Sequence, residues 1–278
     1  MAEADFSAAS GGSMSATDQF VNVPSIDINA DLGESPESLA NGADFELMQH
    51  ITSASIACGG HAGDARTMKR TLEFTKELGV AAGAHPSYPD PANFGRVELE
   101  IAADELETSV REQIAALARL GDKLGIGLKH VKPHGALYHA ANRHHKVALA
   151  IGHAVMAVDS KLIMVGQAGS PCLDAWRSVG LWCAEEAFAD RAYERDGTLR
   201  QRKFPDALLE DPERAARQAL DIALRHRVSL DDGSELCLVA RTLCIHSDTP
   251  GAASIARAVS ERLKAAGFQI RAMSPIGD

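Results

Sequence analysis

The run from His130 to His139 reads HVKPHGALYH and puts His130, Lys132 and His134 where a short apolar strand gives way to a turn. In a strand His130 and Lys132 share one face, because side chains alternate. Pro133 withholds a backbone donor and ends the strand. His134 and Gly135 then fall in the turn, where a side chain can meet a ligand. His61, His85 and His246 stand in the same kind of place, just after the runs SASIACGG, VAAGA and LVARTLCI. One titratable group without partners proves little, but four around one mouth can move protons and stabilise developing charge. His50, His139, His144, His145, His153 and His226 sit on or beside helical stretches and read as solvated.

The carboxylates are patterned as well. In SIDINAD, Ile26, Ile28 and Ala30 alternate with Asp27, Asn29 and Asp31. A wholly polar strand face must look into a wet or ligand-filled space, or its groups go unpaired at about 1 to 3 kcal/mol each. Asp248 follows His246 by two positions and can face the same way. WCAEEAFADR ends in Glu186, Asp190 and Arg191, where the two acids either touch a ligand or position the arginine. Lys132, beside two histidines, points to anion binding. His130-x-x-x-His134 and Cys58-x-x-His61 have metal-ligand spacing, but the first straddles a proline and the second needs partners elsewhere, so a divalent metal stays open. Cys58, Cys183 and Cys244 read as packing. GQAGS, after the strand LIMVG, lacks the lysine of a phosphate-binding loop, and no G-x-G-x-x-G follows the first strand.

These residues need elements to bring them together. The helix Ala65 to Leu78 is marked by Asp64 as its cap and Gly79 as its stop. Helices over Ala103 to Leu124, His145 to Val158, Pro212 to Arg225 and Ala252 to Ala265 alternate with the short apolar runs. Seven or eight such units predict an α/β fold, a TIM-like (β/α) barrel of about seven parallel strands with its chemistry at their carboxyl ends. The expected organisation is one barrel domain over 25–278 behind a disordered extension over 1–24. The net charge of −10 argues against nucleic acid as a partner. Five cysteines without a C-x-x-C pair give no disulfide framework. No apolar run is long enough for a membrane, and no signal peptide is visible, so the cytoplasm fits best.

Six ordered segments, IDINADLGES, SIACGGHAGD, GAHPSYPD with NFGR, HVKPHGALY, EEAFADRAYERDGTL and CIHSDTPGA, resemble those of the LamB/YcsF family over about residues 25 to 272. The resemblance implies a seven-stranded barrel of the glycoside hydrolase/deacetylase type. It also implies a part, alongside two partner subunits, B and C, in the ATP-dependent opening of 5-oxo-L-proline to L-glutamate. ATP would be a co-substrate, held by this chain or by a partner. Under that reading Asp31 or Asp248 is the base, and His61, His85, His134 and His246 carry protons and donate to the oxyanion. Lys132 and Arg191 hold the substrate carboxylate or a phosphoryl group, with Asp27, Asn29, Glu186 and Asp190 completing the binding set. Two other readings stand beside it. One is a metal-dependent amidase or polysaccharide-type deacetylase using His130, His134 and an aspartate of the first strand. The other is a non-catalytic subunit that binds substrate and passes it on.

Overall fold

The computed structural model describes residues 23–275, so the extension expected over 1–24 lies outside the described residues except for Val23 and Pro24. Seven parallel strands close on themselves: β1 (Ser25–Leu32), β2 (Ser53–Ala57), β3 (Ala81–His85), β4 (His130–Val131), β5 (Ile163–Gln167), β6 (Cys183–Phe188) and β7 (Thr242–Cys244). Each pairs with the next, and β7 pairs with both β6 and β1 to complete the ring. Closure removes the exposed edges that an open sheet would leave. Gln269–Ile270 adds a short parallel pairing beside Ser25 and Ile26, and a hairpin of Arg227–Ser229 with Glu235–Cys237 lies apart from the ring.

The alternation along β1 decides which side chains fill the ring. Ile26, Ile28 and Ala30 belong to the apolar core, while Asp27, Asn29 and Asp31 bond to residues of other strands across the interior. The interior is polar and therefore needs small neighbours to make room. Ser53 and Ser55 on β2 and Gly83 on β3 supply it. A methyl group on Gly83 would come within 2.3 Å of the His130 ring.

Helices cover the outside. Asp64 accepts from the amides of Arg66 and Thr67 at 2.9 and 2.8 Å, and Gly79 ends that helix at φ +70°. Ala103–Leu124, His145–Val158, Pro212–Arg225 and Ala252–Ala265 form where the sequence places them, the third with Asp211 as its side-chain cap. A further helix, Gly135–Arg143, starts directly from the turn after β4 and carries Tyr138 and His139 to the mouth of the barrel. Among the described residues, no helix is long and apolar enough to cross a membrane.

Candidate active site

A cavity of about 310 Å³ opens at the carboxyl ends of the strands, lined by Asp31, His85, Lys132, His134, Arg191 and His246 among others. This is the face on which barrel enzymes build their sites. Lys132 stands at its floor, buried, with Nζ 2.9 Å from Asp31 Oδ1, 2.8 Å from Glu186 Oε1 and 3.2 Å from Asn29 Oδ1. Burial opposes the charge on Lys132, but the facing carboxylates outweigh it and raise its pKa well above the usual lysine value. Burial likewise opposes charge on Asp31, and His85 and Lys132 hold it well below the carboxylate range. Asp31 and Lys132 are thus an ion pair at the cavity floor. Glu186 also accepts from Asn29 Nδ2 at 3.0 Å and from the Tyr138 hydroxyl at 2.8 Å, so its lone pairs are committed inside the protein.

Beside this pair, Glu34 gathers three imidazoles. His61 Nε2, His134 Nδ1 and His85 Nε2 lie 3.0, 3.2 and 3.7 Å from Glu34 Oε1. The last also lies 3.4 Å from Asp31 Oδ2. His61 and His134 stack, with centroids 3.7 Å apart and planes within 4°, and His85 stands edge-on to both. Burial lowers His61 to about 4, whereas for His85 the Asp31 and Glu34 carboxylates outweigh burial and raise the pKa.

On the opposite wall Asp190 holds His246. Its carboxylate accepts from the His246 amide at 3.0 Å, from the ring Nδ1 at 3.1 Å and from the Thr249 hydroxyl at 2.6 Å. With Nδ1–H committed to Asp190, His246 keeps Nε2 as the free nitrogen of a ring that lines the cavity. Asp31 and His246 present ligand atoms within 4.8 Å of one another. Asp248 closes the rim, bridging Arg96 at 2.7 Å and Arg202 in a two-pronged contact at 2.8 and 2.9 Å.

The LamB/YcsF profile matches residues 26–277. The chain belongs to the LamB/YcsF family. The 5-oxoprolinase A subunit of Chloroflexus aggregans is 49% identical over 247 residues, covering 89% of this chain and 98% of that protein. That of Methylococcus capsulatus is 46% identical over 248 residues, covering 89% and 95%. The crystal structure of a lactam utilization protein from Thermus thermophilus aligns with a TM-score of 0.84 at 42% identity, covering 90% of this chain and 100% of that one.

In this LamB/YcsF chain the expected residues do not all reach the mouth. Asp27 lies at the other end of the barrel, where it accepts from Thr52 Oγ1 at 2.7 Å and Ser53 Oγ at 2.6 Å and burial lifts its pKa to about 6. Strand alternation gives a residue's face and says nothing of its height, and Asp27 stands apart from the cavity that Asp31 lines. Asn29, Glu186 and Asp190 sit behind the cavity wall and position Lys132 and His246, not Arg191. Arg191 does line the cavity, oriented by the carbonyls of Ala207 and Arg200 at 3.3 and 2.7 Å. Asp248 commits its carboxylate to two guanidiniums, which disfavours it as a base. His130 faces Ser55 at 3.2 Å inside the barrel, and Cys58 stays in the apolar core, so neither metal spacing read from the sequence forms. His139, expected in solvent, lines the cavity, and burial lowers its pKa to about 4. Glu34 is a site residue that the sequence reading misses, although it follows β1 by two residues, in the same kind of strand-to-helix turn that singles out the histidines. Arg96, Tyr138 and Arg202 also reach the site from loop and helix positions that strand periodicity does not mark.

Proposed function

We propose that this chain is the A subunit of a 5-oxoprolinase, acting with subunits B and C in the cytoplasm to hydrolyse 5-oxo-L-proline to L-glutamate with cleavage of ATP. The near full-length match to curated proteins of that name is the observation that carries the reading. The site's chemistry agrees with it. A five-membered lactam bearing a carboxylate is small and anionic, and the cavity offers Lys132 and Arg191 on one side and an ionised carboxylate on the other. A lactam is a stabilised amide, so phosphorylation of its oxygen by ATP supplies the activation. The chain has no phosphate-binding loop of familiar spacing, and a partner subunit holds the nucleotide.

Within this chain, Arg191 binds the substrate carboxylate and Lys132 faces the activated oxygen. Asp31, kept ionised by Lys132, orients the attacking water. His246, backed by Asp190, takes the water's proton and delivers it to the ring nitrogen as the C–N bond breaks, which leaves γ-glutamyl phosphate, and a second water then releases phosphate and L-glutamate. The test is glutamate release from 5-oxoproline and ATP by the chain alone and with both partners, comparing wild type with Asp31→Asn. Turnover only in the complete mixture, lost by at least about 100-fold in a folded Asp31→Asn, is the expected result. A variant that changes KM while leaving kcat intact would make this chain a carrier of substrate rather than the site of hydrolysis.

A further inference from the structure

Three atoms of metal-ligand type converge at the edge of the cavity. His134 donates from Nε2 to the Phe94 carbonyl at 3.0 Å, which leaves its Nδ1 as a lone pair. His85 donates from Nδ1 to the Lys132 carbonyl at 2.7 Å, which turns its Nε2 toward Glu34 and the His134 ring. Those two nitrogens face each other at 3.0 Å, and Glu34 Oε1 completes the triangle at 3.2 and 3.7 Å. Two imidazole nitrogens and a carboxylate oxygen at that separation call for a cation between them, a proton or a metal ion.

We propose that Glu34, His85 and His134 form a binding site for a divalent transition-metal ion of the zinc class, with an open coordination position facing the cavity. Tetrahedral bonds of about 2.0 to 2.1 Å put ligand atoms roughly 3.3 Å apart, and the three observed separations bracket that value. Two imidazoles and one glutamate, leaving one position free, are the donor set of a catalytic rather than a structural site. Both ligating rings are fixed by backbone carbonyls through their other nitrogen, which is how metal-binding histidines are oriented. All three ligands line the cavity, and His61 does not. His61 also brings a ring nitrogen within 4.8 Å of these atoms, but its ring lies parallel to His134 at stacking distance, so the in-plane lone pairs of the two rings run side by side rather than toward one ion. It donates instead from Nε2 to Glu34 Oε1 at 3.0 Å and holds that carboxylate in place. A bound ion would supply Lewis acidity beside Lys132. This set is distinct from the His130-based one that the sequence spacing offers, and it does not rest on the substrate proposed above.

The experiment reads metal rather than turnover. Elemental analysis of the purified full chain is expected to give about one transition-metal ion per chain. After removal with a chelator, one equivalent of Co²⁺ should restore visible ligand-field bands of a low-coordinate nitrogen and oxygen site. Glu34→Gln and His134→Ala should abolish the bands. His61→Ala should keep them with affinity weakened about 10- to 100-fold, and His153→Ala, on the outer helix, should match wild type. Circular dichroism establishes that each variant is folded, and the thermal midpoint of wild type, but not of His134→Ala, should rise with added ion. Absence of bands in folded, stripped wild type, or equal binding by His134→Ala, overturns the proposal and leaves a shared proton as the cation between the rings. Metal bound by a chain with no oxoprolinase activity would sustain this inference and remove the substrate reading instead.

Discussion

Asp190 and His246 show how much the role of a residue depends on what its neighbour leaves free. Asp190 is fully enclosed, and the surrounding donors outweigh burial to keep it ionised below the usual range. Asp190→Asn preserves the shape but offers an amide that can donate to Nδ1 and turn the imidazole to the wrong tautomer. Activity in the reconstituted mixture should fall about 10²- to 10⁴-fold with KM little changed; a loss confined to KM would remove His246 from the proton path. His130 gives a prediction of a different kind. Burial, then Lys132, depresses its pKa to about 3, from an ordinary value of 6.5. The unfolded chain therefore takes the proton first, so the contribution of His130 to stability is complete above about pH 6.5 and lost as pH falls toward 3. Urea unfolding of wild type should lose stability across that window more steeply than His130→Gln, by up to about 1.4 kcal/mol per pH unit; parallel curves would show the ring to be solvated. Sequence alone places His61, His85, His134 and His246 at the carboxyl ends of the strands because each ends or closely follows one. It cannot rank Asp27 against Asp31, since both share a face and differ only in depth.

The secondary-structure elements are legible where local chemistry marks their ends. Asp64 and Gly79 bracket their helix by bonds that depend on nearby residues alone. The helix Gly135–Arg143 has no side-chain cap, and its first residue is a glycine at φ +53° packed against the Gly95 carbonyl, a tertiary contact that no local pattern reveals. β4 is only two residues long, and its interior place depends on β3. Gly83 is the point of dependence. Gly83→Ala should cost about 1 to 3 kcal/mol by forcing the His130 ring aside, read as a lower urea midpoint. Combining it with His130→Ala, which vacates the space the methyl needs, should bring the pair closer to His130→Ala alone than simple addition predicts. Additive losses would mean that the glycine is required for backbone freedom rather than for the close approach of the ring.

At the scale of the whole molecule the charge is divided. The chain carries a formal net charge of −10, yet Arg96, Lys132, Arg191 and Arg202 line the cavity against Asp31, Glu34 and Asp248, four cations to three carboxylates. Cationic side chains gathered at the mouth of an acidic body draw small anions inward while the outer surface repels them, and salt screens the two effects over about 8 to 10 Å. Closing the ring of strands is what concentrates residues spread from Asp31 to Asp248 around one opening, and no stretch of sequence shows that field by itself. In the reconstituted mixture, KM for 5-oxoproline should therefore rise about two- to fivefold as salt is raised from low to above physiological strength, with kcat nearly constant. A neutral lactam of the same ring size should show no such dependence. If both compounds respond alike, the salt is acting on the association of the subunits rather than on the mouth, and varying the partner concentration at fixed salt would then move the apparent KM in the same way.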